Sequence, residues 1–296
     1  MAKAKLGTYY LARIIKVGLL DDTKVIEALQ KPLPIVRGTH GWTITKFQKC
    51  ECEGHDYYFA KLTKYKPDGE VSVIDHEKGE EVSQIEPDLV VASSPFVFIP
   101  SESAFAHLHV WNQIGEDIFK ERMAELIMAK HQHFFVDCSL ESIADLRTFL
   151  VKIKELEQIT HIAATIFPPN PLFSPAWESL KDYLKTRKTE EMKVEEKSSQ
   201  AINTDLPAIV SEVLDSTLSE STTRNAQIGD AAILMAADGY GRGKIVGTRT
   251  GHQVTVRTSE ATLNFQLEKD PNAELLFKKT FEILQDMNKR RNLKHK

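Results

Sequence analysis

HFFVDCSLESIADLRTFLVKIKELEQITHIAATIF, residues 133–167, sets two short apolar runs, His133–Cys138 and His161–Phe167, on either side of a segment of different period. Such runs read as buried strands. Between them, from Ser142 to Glu157, apolar residues recur every three to four positions, the signature of an amphipathic helix. The stretch therefore predicts strand, helix, strand, with a crossover long enough for a parallel or ferredoxin-like arrangement. Pro168-Pro169-Asn170-Pro171 closes it, because proline fixes φ and has no amide hydrogen to donate.

Upstream, Thr8–Val17 (TYYLARIIKV) reads as a strand and Thr23–Gln30 as a short helix stopped by Pro32 and Pro34. From Gly41 to about Val91 three runs, GWTITKFQKCECE, HDYYFAKLTKY and EVSVIDHE, are punctuated by Glu53-Gly54 and Pro67-Asp68-Gly69 and predict an antiparallel meander. Strands at Phe96–Ile99 and Phe105–Trp111 and an amphipathic helix over Gly115–Lys130 complete this half. Downstream, Pro175 opens a helix carrying Trp177, Leu180 and Leu184, and EEMKVEEKSSQ reads as an exposed edge strand. Leu206–Leu218 reads as a helix and SESTTRNAQ as a loop; Asp230–Phe265 reads as strands around a run of glycines. A last helix, Asn272 to about Asn292, would bury Leu275, Leu276, Phe281 and Leu284. The expected fold class is α+β: a β-rich N-terminal domain, 1–114, followed by a ferredoxin-like or related α/β-sandwich domain, 115–296, with a C-terminal hairpin and helix.

Composition narrows the function classes. The chain has 296 residues, 42% hydrophobic and 27% charged, which excludes collagen-like, disordered and disulfide-scaffold proteins. No stretch approaches the ~18–20 apolar residues of a membrane span, and the opening Met1-Ala-Lys-Ala-Lys lacks the apolar run of a secretory signal, so a cytoplasmic protein without a membrane partner is expected. Three cysteines, Cys50, Cys52 and Cys138, form no disulfide framework and are expected to be reduced.

Candidate chemistry is thin. His107-Leu108-His109 and His131-Gln132-His133 each put two imidazoles on one face of a strand, and Asp137 and Cys138 lie close to the second pair, but no third ligand stands at a diagnostic spacing. Cys50-Glu51-Cys52 is not the CxxC of a redox pair. Asp238-Gly-Tyr-Gly-Arg-Gly243 resembles a phosphate-binding loop, yet it leads into a strand where a dinucleotide fingerprint needs a helix. Neither a GxxxxGK[ST] loop nor a GxSxG elbow is present. No catalytic residue, metal site or cofactor is called for.

Charge is more informative. The formal net charge is −4, but residues 240–296 hold 12 Lys and Arg against 6 Asp and Glu, so the remainder is strongly acidic. Arg242, Lys244, Arg249 and Arg257 fall in a stretch without a carboxylate, and Lys278, Lys279, Lys289, Arg290 and Arg291 follow in the last helix. Such residues on a hairpin and an adjoining helix could contact phosphates, with salt-sensitive and sequence-neutral affinity.

The order of elements from Ser94-Pro-Phe-Val-Phe-Ile99 through Ala104-Phe-Ala-His107 to the helix after Gly115, then HFFVDC, FPPNP, a charged strand and the hairpin ILMAADGYGRGKIVGTRTG, resembles that of the RexA-like phage-exclusion proteins over about two thirds of the chain. The resemblance implies a double-stranded-DNA-binding protein, a homodimer, acting in abortive infection beside a second defence-system protein. It carries no catalytic motif. Two rivals remain open: a metal-dependent nuclease using Asp137 and the flanking histidines, and a protein-interaction or sensor subunit working through the aromatic β-region of Trp42, Tyr57, Tyr58 and Phe59.

Overall fold

The computed structural model describes residues 5–75, 77–169, 172–215 and 226–295. The first half supplies strand β1 (Leu6–Gly18), helix α1 (Asp22–Gln30), and strands β2 (Ile35–Arg37), β3 (His40–Cys52), β4 (His55–Lys66), β5 (Glu70–Asp75), β6 (Glu80–Ile85), β7 (Leu89–Ile99) and β8 (Ala104–Leu108). Helix α2 (Glu116–Lys130), β9 (Val136–Ser142), helix α3 (Leu146–Lys154), β10 (Gln158–Ile166), β11 (Leu172–Phe173), helix α4 (Glu178–Arg187) and β12 (Met192–Lys197) follow. Last come helices α5 (Leu206–Asp215) and α6 (Ile228–Met235), β13 (Gly241–Arg249), β14 (His252–Arg257), β15 (Asn264–Glu268), helix α7 (Ala273–Arg290) and β16 (Lys294–His295). The fold is α+β.

An eight-stranded antiparallel sheet runs β15-β1-β8-β7-β4-β3-β2, and β9 shares an edge of β1 with β15. Strand β1 is long enough to pair two strands, β15 and β9, along one edge while β8 takes the other. Tyr9 stands opposite Leu108 and Phe265, and Ala12 opposite Phe105 and Ser142. Because alternate residues of a strand face opposite ways, Phe96, Phe98 and Phe105 enter one core with α1 and α2, while Val97, Ile99 and Ala104 enter the other. Burial on both faces explains why FVFI is a continuous apolar run. A second antiparallel sheet, β12-β10-β13-β14, covers the latter core together with α3 to α7.

Several local expectations are corrected. Strands β9 and β10 flank α3 as foreseen, but β9 lies in the large sheet and β10 in the small one, so the unit bridges two sheets and forms no parallel pair. The reason is the long β1, whose edge beyond β15 is taken by β9 from Ala12 to Gly18. The large sheet draws β9 and β15 from beyond position 114, and α2 packs Phe119 and Met123 into the same core as Phe96. Residues 133–135 are not strand: Gln132, His133 and Phe135 have positive φ, and β9 starts at Val136. EVSVID is not the third strand of a meander. Strand β7 takes that place on β4, because β7 has apolar residues for both cores, whereas β5 pairs only with β6 in a separate ribbon.

Residues 230–238 are helical rather than strand. AAILMAA is buried on every side, so it shows no helical period, and its alanines are the best helix formers. Helix α7 turns Phe277 inward and leaves Leu275 exposed. The helix over Leu206–Leu218 is observed to Asp215; its last residues and most of SESTTRNAQ lie outside the described residues.

Candidate nucleic-acid interface

Alternation along the small sheet sorts its residues onto two faces. Ile162, Ala164 and Ile166 of β10, Ile245 of β13, Val256 of β14 and Val194 of β12 point inward and are buried. Directly paired residues share a face in an antiparallel sheet. The outer face therefore reads across the strands as Lys193, Thr165 and Arg242; as Glu195, Ala163, Lys244 and Arg257; and as Lys197, His161, Val246 and Thr255. Five cations surround a centre of small and β-branched residues. Lys193 and Lys197 were not among the expected contacts, because only the pairing of the edge strand β12 with β10 brings them alongside the hairpin.

Glycine lets this sheet sit close to α6. A Cβ on Gly243 would lie 2.9 Å from both Ile233 Cδ1 and Thr258 Cγ2. Gly239, at φ +87°, turns the chain from helix into β13 against Arg13. The glycine run of DGYGRG is thus a device of close packing.

The charges are arranged in pairs. Arg242 donates from Nε and Nη2 to the buried Glu141 carboxylate at 2.8–3.0 Å while most of its side chain stays exposed, and this bond raises the guanidinium pKa. Arg257 meets Glu260 at 2.8 Å, Arg249 meets Glu155, Lys193 meets Glu191 at 3.1 Å and Lys197 meets Glu195 at 2.7 Å. Lys244 is half-buried and has no ion pair among the described residues. The pairs of Arg257, Arg249, Lys193 and Lys197 are exposed, weak and exchangeable, so these cations remain available to a polyanion at reduced potential, whereas Arg242 stays bound to the buried Glu141.

The terminal helix does not join this face. Helix α7 leans on β3 and β7 of the large sheet, with Phe277 stacked on Tyr57 at 4.1 Å. On it Lys278 pairs with Glu274, Lys279 with Glu282 and Arg290 with Asp286, while Lys289 is exposed. Arg291 is buried. Its Nη1 donates to Asp238 Oδ1 at 2.9 Å and to the Ala237 carbonyl, and its Nη2 to the Ala144 carbonyl, and burial lowers its pKa. Asp238 also accepts from Trp177 Nε1 at 2.8 Å, and its backbone carbonyl accepts from Arg13 Nε at 2.7 Å. The arginine expected at the surface is therefore a tie between α7, β1 and the turn before β13.

Other candidates resolve into packing. His107 is fully buried, stacked on Phe119 at 3.9 Å with both ring nitrogens unpartnered, and desolvation holds its pKa well below the ordinary value. His131 Nε2 contacts the Lys24 carbonyl, and His133 and Asp137 are exposed. The Cys138 thiol is buried and its pKa is pushed up to about 12 by desolvation. Among the described residues no group of three or more His, Cys, Asp or Glu could hold a metal ion. A groove of about 530 Å³ between α2, β9 and β13 holds Lys120, Ser142 and Arg242. There Ser142 Oγ and Thr262 Oγ1 donate to Glu116, and Lys120 bridges Glu116, Asp117 and Ser142.

No described helix is long and apolar enough to cross a membrane. No curated protein matches the chain. A family model described as a domain of unknown function, DUF4747, matches residues 23–220, from α1 past α5. That match includes Lys193 and Lys197 and ends before the hairpin of Arg242, Lys244 and Arg257. It covers well over half of the sequence, and the chain belongs to the DUF4747 family.

Proposed function

We propose that this protein binds nucleic acid, double-stranded DNA with weak sequence preference, through the outer face of its small sheet. The observation that carries this reading is the register that sets Lys193, Lys197, Arg242, Lys244 and Arg257 on one face of β12-β10-β13-β14. Lysines and arginines on a flat face contact phosphates and release counterions. Among Ala163, Thr165, Val246, Thr255 and His161 the face carries one ring, the half-buried His161 imidazole bonded to Glu195, which offers little on which unstacked bases could lie and favours a duplex over a single strand. A role in bacterial anti-phage defence rests on the resemblance to the RexA-like proteins.

The test is charge reversal at Lys193→Glu, Lys197→Glu and Lys244→Glu, read by fluorescence anisotropy with a labelled duplex. Arg242 is left alone, because a glutamate there would face the buried Glu141. Binding should weaken at least tenfold with the melting temperature unchanged, and reversal of Lys278 and Lys279 on α7 should do far less. Equal affinity in the sheet variant would remove the interface.

A second reading, an interaction subunit, takes support from the exposed ribbon β5–β6. It does not use the aromatic region named from the sequence: Trp42, Tyr57, Tyr58 and Phe59 are all buried.

A further inference from the structure

The ribbon β5–β6 stands apart from both sheets. It is held at its base by Glu86 N donating to the Gly69 carbonyl and by Asp88 N donating to the Pro67 carbonyl, and its strands pair only with each other. Every residue of β6 is exposed, and Ile74 and Ile85 are 65% and 72% exposed. An isolated two-stranded ribbon is marginal in water without a surface to pack on. Its charge describes that surface: between Asp68 and Asp88 eight carboxylates stand against one lysine, Lys78. Two such arms would repel each other, so arm-to-arm pairing is disfavoured. The complementary surface is the outer face of the small sheet. That face carries five cations and one carboxylate, Glu195, around the half-buried Ala163 and Thr165, small side chains on which Ile74 or Ile85 could rest.

We propose that the acidic arm of one copy packs on the basic sheet face of a second copy, and that the exchange is reciprocal, closing a two-fold dimer. Each strand of the arm has six residues. At ~3.3 Å per residue the arm is about 20 Å long, shorter than the nine-residue β10 at about 30 Å, and four strands ~4.8 Å apart make the face roughly 15 Å wide, more than two strands need, so the ribbon fits when laid along the strands. Reciprocal exchange uses the same two patches on both copies and leaves no open end, whereas one-way docking would propagate into a filament. The arm stands where a nucleic-acid backbone would stand, but the contact does not rest on nucleic-acid binding.

The test is the mass of the full chain by sedimentation velocity without nucleic acid, at low and high salt. The wild type should sediment at twice its 33.5 kDa chain mass at low salt and move toward one chain mass as salt rises. Reversing the arm (Glu70→Lys, Glu80→Lys, Glu81→Lys) should give a monomer, and so should reversing the face (Lys193→Glu, Lys197→Glu, Lys244→Glu). Carrying both sets in one chain restores the charge match and should restore the dimer, which a variant that merely failed to fold could not do. A wild type that is monomeric at low salt, or a dimer that ignores either reversal, overturns the contact. A dimer without duplex binding would fail only the proposed function, and duplex binding by a monomer would fail only this contact.

Discussion

Replacing Asp238 by alanine strands a buried charge. Arg13, Arg291, Asp238 and Glu102 lie in one buried region, two cations against two carboxylates. Asp238 is 4% exposed, and its carboxylate serves Arg291 at 2.9 Å and the Trp177 indole at 2.8 Å. Without it Arg291 keeps only the carbonyls of Ala237 and Ala144, and the indole N–H has no acceptor. Removing one partner of a buried pair costs about 3–5 kcal/mol, and an unsatisfied buried donor about 1–3 kcal/mol. Against a total stability of roughly 5–15 kcal/mol, Asp238→Ala should lose about 4–6 kcal/mol after relaxation. Arg291→Met, which removes the cation and fills its volume, should cost less. The double variant should fall short of the sum of the two by about 2–3 kcal/mol, the coupling expected for a buried contact. Urea unfolding followed by tryptophan fluorescence measures all four corners of the cycle. Additivity within about 0.5 kcal/mol, or an Asp238→Ala loss below 1 kcal/mol, would refute the reasoning.

Three further outcomes follow from particular side chains. His107 is held neutral by burial, with Lys120 and His109 adding to the shift, so the unfolded chain binds a proton that the folded chain does not. Stability should therefore be whole above the unfolded value of about 6.5 and fall as pH drops below it; His107→Phe should flatten the urea midpoint between pH 7.5 and 5.5, and an unchanged slope would contradict this. Gly243→Ala puts a methyl 2.9 Å from Ile233 and Thr258, an overpacking expected to cost about 1–3 kcal/mol in the same assay; no loss would show that α6 can move away from the sheet. Cys138, with its thiol pushed up to about 12, should react with a thiol reagent at neutral pH only after denaturation, well after the half-buried Cys50 and Cys52; early labelling of Cys138 would contradict its burial.

The sequence was most legible where periodicity and burial agree. β1, α1, α2, β10, the β13–β14 hairpin and the cap of α7 at Asn272 stand within a few residues of their expected places. It was least legible where burial is complete. AAILMAA carries no period to separate helix from strand, and FVFI does not say which neighbours cover it. Strand pairing was opaque for a related reason. Nothing in residues 133–167 reveals that β1 has spare edge for β9, so two strands flanking one helix fell into different sheets. The basic sheet face was half legible. The hairpin cations were visible as a run without carboxylates, but Lys193 and Lys197 needed the β10–β12 register, and the tie of Arg291 to Asp238 needed the return of α7 to the turn before β13. Charge counted along the chain could not tell a surface cation from a buried one.

The central claim is the basic sheet face, and the salt dependence of duplex binding tests it most directly. Each phosphate neutralised contributes a slope of about −0.9 to log K against log salt. Five cations on the face, most of them shared with carboxylates, set an upper bound near −4.5 and an expected slope of about −3. That slope is expected for the wild type, and a slope shallower by about 0.6 for each lysine replaced by glutamine at 193, 197 and 244. Binding absent at low salt, or a slope that the three replacements leave unchanged, would contradict it.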